Sequence, residues 1–304
     1  MKSTLVTGAS GFVGSFLMTE LQRHGIPTIG VSRTDKAGLL KIQSYGEEMD
    51  WGPVLEKVDT IVHLAARVHV MKDRASDPLS EFRRANVDAT LHLARAAIKA
   101  GVRRFIFVST IKVNGETTRP GHPFRSDDPR KPEGPYAVSK AEAEIALLEL
   151  GRQTDLEVVI LRATLVYGPG VKGNLATLKK WAAFQLPSPF GAIQNRRSLV
   201  HLSNLSSAII AARREPRAVD QIFLVADGTH ISTHELLLDL GWKRPPRILD
   251  FVFACTFLAA LAVPRSTRNR LLSNLEVDVE KARTLLNWNP LPFVRQSTFR
   301  PTHD

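Results

Sequence analysis

The 304 residues include one cysteine, Cys255, so no disulfide can form within the chain. A lone thiol suits a reducing compartment, and a cytoplasmic location is expected. Long apolar runs are also missing. The longest, FVFACTFLAALAV from Phe251 to Val263, is too short to cross a bilayer and reads as a buried helix. With Arg265, Arg268 and Arg270 behind it, the same run could instead rest weakly on a membrane surface. The opening MKSTLVTGAS moves straight into a strand and a glycine loop, so no signal peptide is expected. Acidic residues are outnumbered: 41 Lys and Arg against 30 Asp and Glu give a net charge of +11. Such a balance favours anionic ligands. The basic residues are dispersed, and neither zinc-ligand spacing nor an aromatic-basic RNA motif appears. No metal and no nucleic-acid partner is therefore expected.

What is present begins with alternation. Short β-branched runs at Thr4–Thr7, Thr28–Ser32, Thr60–Leu64, Phe105–Val108 and Val158–Leu161 alternate with helical patterns, and Ile222–Val225 adds a later strand. Gly14–His24 and Leu79–Ala100 have helical spacing, and Gly101 stands where a C-terminal cap belongs. This order predicts an α/β fold: a Rossmann doubly wound parallel sheet with a smaller α/β C-terminal substrate-binding region. The expected division gives residues 1–166 plus about 193–228 to the dinucleotide domain. About 167–192 plus 229–304 go to the substrate region. Tyr167–Arg197 is rich in Gly and Pro, lacks period, and reads as a loop-rich insertion.

LVTGASGFVG places Gly8, Gly11 and Gly14 directly after the first strand. Gly8 permits a tight turn, Gly11 lets backbone N–H groups approach a pyrophosphate, and Gly14 lets the helix pack on the strand. A glycine triplet alone is also what a plain strand-to-helix connection uses, but here strand, turn and helix fall in the order a dinucleotide needs. Many NAD sites place an acid at the end of the second strand. Here that position is Ser32, followed by Arg33. A hydroxyl and a guanidinium suit a 2′-phosphate, so NADP(H) is favoured over NAD(H).

FVSTIKVNGE ends a strand in two hydroxyls, Ser109 and Thr110. Further on, PYAVSKAEAE sets Tyr136 and Lys140 four apart on one helix face. An ammonium beside a phenol favours the phenolate and lowers its pKa toward working pH. The spacing alone also describes an ordinary helix face. Its place after a strand ending in Ser-Thr, behind a glycine loop, gives it weight.

Together with HLAARVH (63–69), NVDAT (86–90), LVYGPGVKGN (165–174) and RRSLVHLSNL (196–205), these motifs resemble the extended short-chain dehydrogenase/reductases that act on nucleotide sugars. The resemblance covers nearly the whole chain and reaches the NAD-dependent epimerase/dehydratase group, whose type is the UDP-glucose 4-epimerase. It implies Tyr136 as catalytic acid/base, Lys140 as its modulator and a ribose ligand, and Thr110 with Ser109 as the hydroxyl partner. It implies cofactor contacts at Gly8, Ser10, Gly11, Phe12, Val13, Gly14, Ser32, Arg33, Leu64, Ala65 and Ala66. Substrate contacts are implied at Arg67, His69, Lys112, Asn174 and Arg197, and Lys172 could join an anion clamp.

Sugar 4,6-dehydratases carry Asp-Glu after the catalytic threonine, whereas this chain has Ile111 and Lys112, which argues against elimination. Typical 4-epimerases carry tyrosine at Asn114 and an acid at Ser32, so both departures weaken epimerisation. The pattern is most similar to bacterial UDP-4-keto-6-deoxy-N-acetylhexosamine 4-reductases of surface-polysaccharide synthesis. A UDP-hexose 4-epimerase with bound NAD is the alternative, and a non-catalytic nucleotide-binding protein is the third reading. The expected partners are a UDP-sugar and a second copy of the chain in a homodimer.

Overall fold

The computed structural model describes residues 2–68, 77–171, 174–184, 194–243 and 272–293. A seven-stranded parallel sheet forms the centre, in the order β3-β2-β1-β4-β5-β6-β9. Its strands are β1 (Ser3–Thr7), β2 (Thr28–Ser32), β3 (Leu40–Lys41), β4 (Val58–His63), β5 (Arg104–Thr110), β6 (Glu157–Ala163) and β9 (Gln221–Val225). The order reverses direction between β1 and β4. That switch point opens a crevice at the carboxyl ends of the strands.

Alternation along the strands sends side chains to two faces. Val6, Val62, Ile106 and Val159 meet Leu17 and Leu21 of α1 (Phe12–Arg23) and Leu205 and Ile209 of α7 (Leu202–Arg214). Leu286 of α9 (Glu280–Leu286) closes that side. On the other face, Leu5, Ile61, Phe105, Val158 and Ile160 pack on Leu93 of α4 (Ala89–Lys99) and Leu147 of α5 (Gly134–Arg152). Each face is therefore covered, as an all-parallel sheet requires.

The expected strands all form, and β5 runs two residues further than expected, through Ser109 and Thr110. The single helix expected over Leu79–Ala100 is instead interrupted. Asp77 caps α3 (Pro78–Arg83) by accepting from the Ser80 N–H at 3.1 Å, and a turn of π-helix follows over Arg84–Asp88. The wider turn admits one extra residue, and Asn86 is buried there. At the far end Gly101 takes φ +67°, and the Val102 N–H donates to Ala97 O at 2.9 Å, a Schellman closure that only glycine makes without strain.

Tyr167–Arg197 is not wholly irregular. It contains α6 (Asn174–Ala183), the end of β7 (Leu165–Tyr167) and the start of β8 (Arg197–His201). β7 and β8 join β10 (His230–Ile231) in a three-stranded sheet. Tyr167, Leu175, Leu178, Leu199 and Leu237 of α8 (Thr233–Asp239) form a separate small core beside it. β7 and β10 are too short to show a period in the sequence, and β8, five residues long, carries no apolar-polar alternation. The remaining short helix, α2 (Gly52–Leu55), follows β3. Among the described residues no helix is long and apolar enough to cross a membrane, and Phe251–Val263 lies outside them.

Candidate active site

A cleft of about 1320 Å³ runs along the carboxyl ends of the central strands and on beneath β8 and α8. That is room for more than one drug-sized ligand. One end is lined by the glycine loop. Gly8 has φ +68°, and a Cβ there would stand 2.9 Å from Ala65 N. A Cβ on Gly14 would stand 2.2 Å from Gly8 O, so only hydrogen lets α1 start so close to β1. Gly11 is the N-cap of α1 and no side chain caps it, so the first N–H groups of the helix face the cleft wall formed by Phe12, Val13 and Gly14. Leu64, Ala65 and Ala66 line the opposite side. The residues present thus form a cradle fitted to a dinucleotide pyrophosphate.

At the end of β2, the Ser32 hydroxyl is buried among Ser10 Oγ at 3.0 Å, Thr34 Oγ1 at 3.1 Å and the Thr34 N–H at 3.1 Å. Lys36 Nζ donates to Ser10 O at 3.4 Å. Arg33 is exposed, its guanidinium 6.0 Å from the ring of Tyr45, and the Tyr45 hydroxyl accepts from the Gly8 N–H at 3.0 Å. Tyr45 and Thr34 both line the cleft, and neither carries a motif that marks it in the sequence.

Midway along the cleft stand Thr110, Ile111, Lys112 and Tyr136. Thr110 Oγ1 accepts from the Lys112 N–H at 3.3 Å and caps the 3-10 turn Ile111–Val113. That bond orients the hydroxyl and leaves its hydrogen for another acceptor. Ser109, expected beside it, does not line the cleft. Successive strand residues face opposite ways, and the Ser109 hydroxyl donates to Glu144 Oε1 at 2.5 Å in the interior. Asn114 is likewise buried: its Oδ1 accepts from Arg162 Nη1 at 2.9 Å, and its Nδ2 donates to Arg125 O at 2.8 Å. It is not on the cleft wall, so its identity does not report on the sugar.

Tyr136 stands in the first turn of α5 with its ring edge-on to Phe82, 6.2 Å between centroids. Burial pushes its phenol up to about 12. Lys140 is buried one turn later, and its ammonium is pulled down to about 7 by burial, with Glu144 acting in the opposite direction. Lys140 Nζ donates to Val108 O at 2.9 Å and lies 3.7 Å above the ring of Phe107. Desolvation thus raises the phenol where the sequence predicts that its lysine lowers it, and at neutral pH Tyr136 is a proton donor.

His63 lies under the same wall. Its Nδ1 meets Thr7 Oγ1 at 2.8 Å and its Nε2 meets Thr90 Oγ1 at 3.1 Å. Thr7 Oγ1 already accepts from the Leu64 and Ala65 N–H groups, and Thr90 donates to Asn86 O at 2.8 Å. The Thr7 hydrogen therefore goes to Nδ1, and His63 carries its own proton on Nε2. Burial, with Lys140 nearby, holds it neutral down to about 3.

Of the expected sugar-side residues, Arg67, Lys112 and Arg197 line the cleft. Lys112 Nζ donates to Glu116 Oε1 at 2.6 Å. Arg197 Nη1 donates to Ser273 O at 2.8 Å, and burial pulls its guanidinium down to about 10 against the nearby Glu116. Arg67 lies 5.4 Å from the ring of Phe82. His69 and Lys172 lie outside the described residues. Asn174 is the first residue of α6, and its side chain is outside the description.

Residues 4–226 match the model of the NAD dependent epimerase/dehydratase family. The chain belongs to that family. It is accordingly an enzyme of the epimerase or oxidoreductase kind. A protein of Vibrio cholerae named UDP-glucose 4-epimerase is 38% identical, over 99% of this chain and 94% of its own length. A dTDP-glucose 4,6-dehydratase of Streptomyces niveus is 30% identical, over 81% of this chain and 80% of its own. Among solved structures, MoeE5 in complex with UDP-glucuronic acid and NAD superposes with a TM-score of 0.76 at 25% identity, covering 96% of this chain and 95% of that one. The family's fold and the parallel sheet described above agree.

Proposed function

We propose that the chain is an NADP(H)-dependent reductase of a UDP-linked 4-keto-6-deoxy-amino sugar, working at C4. The observation that carries this reading is the end of β2. There Ser10, Ser32 and Thr34 cluster their hydroxyls, with Arg33 and Lys36 beside them. Hydroxyls and cations suit a 2′-phosphate, where a carboxylate would repel it. The named relatives act on or bind nucleotide sugars, and several neighbouring structures hold NAD, which supports a nicotinamide dinucleotide and a UDP-sugar here.

A bound nicotinamide cofactor supplies a hydride. Tyr136 gives its proton to the C4 oxygen as the carbonyl becomes an alcohol. Thr110, oriented by the Lys112 N–H, donates a hydrogen bond to the same oxygen. Lys140 helps return a proton to Tyr136 from the interior side. Ile111 is buried and apolar and Lys112 is paired to Glu116, so the positions after Thr110 offer no acid for elimination.

A second reading, a UDP-hexose 4-epimerase with retained NAD, is favoured by the name of the Vibrio cholerae relative. The purified protein should oxidise NADPH only when a UDP-4-ketosugar is supplied, and Tyr136→Phe should reduce that rate by roughly 10²-fold or more. Interconversion of UDP-hexoses with no added reductant would replace the reductase reading with the epimerase one.

A further inference from the structure

We propose that Glu144 is the positioning residue of this site, a single carboxylate that locks the helix bearing Tyr136 and Lys140 to the strand end bearing Thr110. This rests on the acid/base reading of Tyr136 and adds to it. Tyr136, Lys140 and Glu144 stand at i, i+4 and i+8 on α5, so one stripe of the helix carries all three. The first two serve the cleft. Glu144 is fully buried and reaches past them into the sheet.

There it spans two strands. Ser109 of β5 and Arg162 of β6 are register partners. The Ser109 hydroxyl donates to Glu144 Oε1 at 2.5 Å, while Arg162 donates from Nε to both oxygens at 3.1 Å and from Nη2 to Oε2 at 2.6 Å. Arg130 Nε stands 3.7 Å from Oε2. Arg162 also holds Asn114, which accepts at 2.9 Å just beyond the turn that Thr110 caps. One residue after Ser109 comes Thr110. One residue before it comes Val108, whose carbonyl takes the Lys140 ammonium at 2.9 Å. Every element that presents a reacting group is thus tied to one carboxylate.

Energetics say why position, rather than stability, is the gain. Burying an ion pair removes two charges from water, and replacing such a pair with apolar groups is often neutral or stabilising. Removing one partner alone leaves a buried charge and is destabilising. The pair also sets charge near Lys140, which faces Tyr136 and Glu144 on its own helix and His63 from β4. With Glu144 neutralised, Lys140 loses the charge that opposes its desolvation.

The test uses Ser109→Ala, Glu144→Gln and the double variant Glu144→Leu with Arg162→Met. Thermal midpoints, NADPH fluorescence titration, kcat, KM and pH profiles are measured on each. Single-variant destabilisation is expected, with the midpoint largely restored in the double variant. The expected kinetic result is a kcat lower by about 10- to 100-fold in the double variant, the scale of a displaced catalytic group. KM and NADPH affinity should stay within about 3-fold, because no substrate-contacting group is removed. The high-pH limb of kcat should move to lower pH in Glu144→Gln. Restored kcat and an unmoved pH profile in the refolded double variant would reduce the pair to structural support and overturn the proposal. A readout independent of the substrate is the titration of the Lys140 ammonium by NMR, taken as the difference from the matched Lys140→Met protein. Its midpoint should fall in Glu144→Gln even if no ketosugar turns over, because Glu144 opposes the desolvation that lowers it. An unmoved midpoint would overturn the proposal whatever the fate of the reductase reading.

Discussion

Asn86 grips the backbone of Arg67 from both sides: its Oδ1 accepts from the Arg67 N–H at 2.7 Å, and its Nδ2 donates to Arg67 O at 3.0 Å. The same Nδ2 also donates to Ser139 Oγ at 3.0 Å, and Ser139 donates to Tyr136 O at 2.9 Å. The π-turn that carries Asn86 thus connects the cleft wall after β4 to the first turn of α5. Asn86→Ala removes the side chain that bonds both part-buried backbone groups of Arg67. Unfolding in denaturant should show a loss of about 2 kcal/mol, the low end for two groups at about 1–3 kcal/mol each, because both bonds are only part-buried. Unchanged stability would mean that water fills the vacated site.

The buried titratable groups give the chain a distinctive pH response. The Lys140 ammonium is pulled down to about 7 from an ordinary 10.5, so between those values the unfolded chain binds a proton that the folded chain has released. Stability should therefore rise with pH across that window. Tyr136, pushed up to about 12 from 10.0, reverses the slope above pH 10, where the folded chain keeps a proton the unfolded chain loses. Calorimetry without ligands should give a higher thermal midpoint at pH 9 than at pH 7, and Lys140→Met should flatten that rise. An equal slope in the variant would assign the response to other groups.

Arg33 is the exposed cation beside the Ser10–Ser32–Thr34 hydroxyl cluster. Arg33→Ala should weaken NADPH about 10-fold or more, as loss of a charge-assisted contact does, while NADH changes by less than about 2-fold. Isothermal titration with both cofactors decides it. Parallel losses would remove Arg33 from cofactor selection.

Gly14 has no room for a methyl group, since its Cβ would meet Gly8 O at 2.2 Å. Gly14→Ala should push α1 away from β1, reduce binding of both dinucleotides alike and lower the thermal midpoint. A variant that binds normally would show that the loop can relax where the geometry says it cannot.

How much of this was legible beforehand follows a physical line. Steric rules act between near neighbours, so the sequence alone determined the glycine turn, the β-α alternation, the C-cap at Gly101 and the shared helix face of Tyr136 and Lys140. Short elements were another matter. α6 hid inside a Gly- and Pro-rich stretch, β7 and β10 were too brief to show a period, and β8 lacks apolar-polar alternation. The second glutamate of SKAEAE, Glu144, was visible one turn after Lys140, but nothing local says that a buried arginine from β6 waits for it.

Which of two adjacent hydroxyls serves the cleft was decided by tertiary structure. Ser109 and Thr110 share a strand end, but the pleat turns one inward to Glu144 and leaves the other on the cleft wall. Asn114 shows the same: a difference that looks like substrate selection in the sequence is a hydrogen bond to Arg162 in the fold. The ionisation of Tyr136, Lys140 and His63 was also beyond sequence spacing. Desolvation depends on everything packed around a group, and in this fold it is the largest influence on all three.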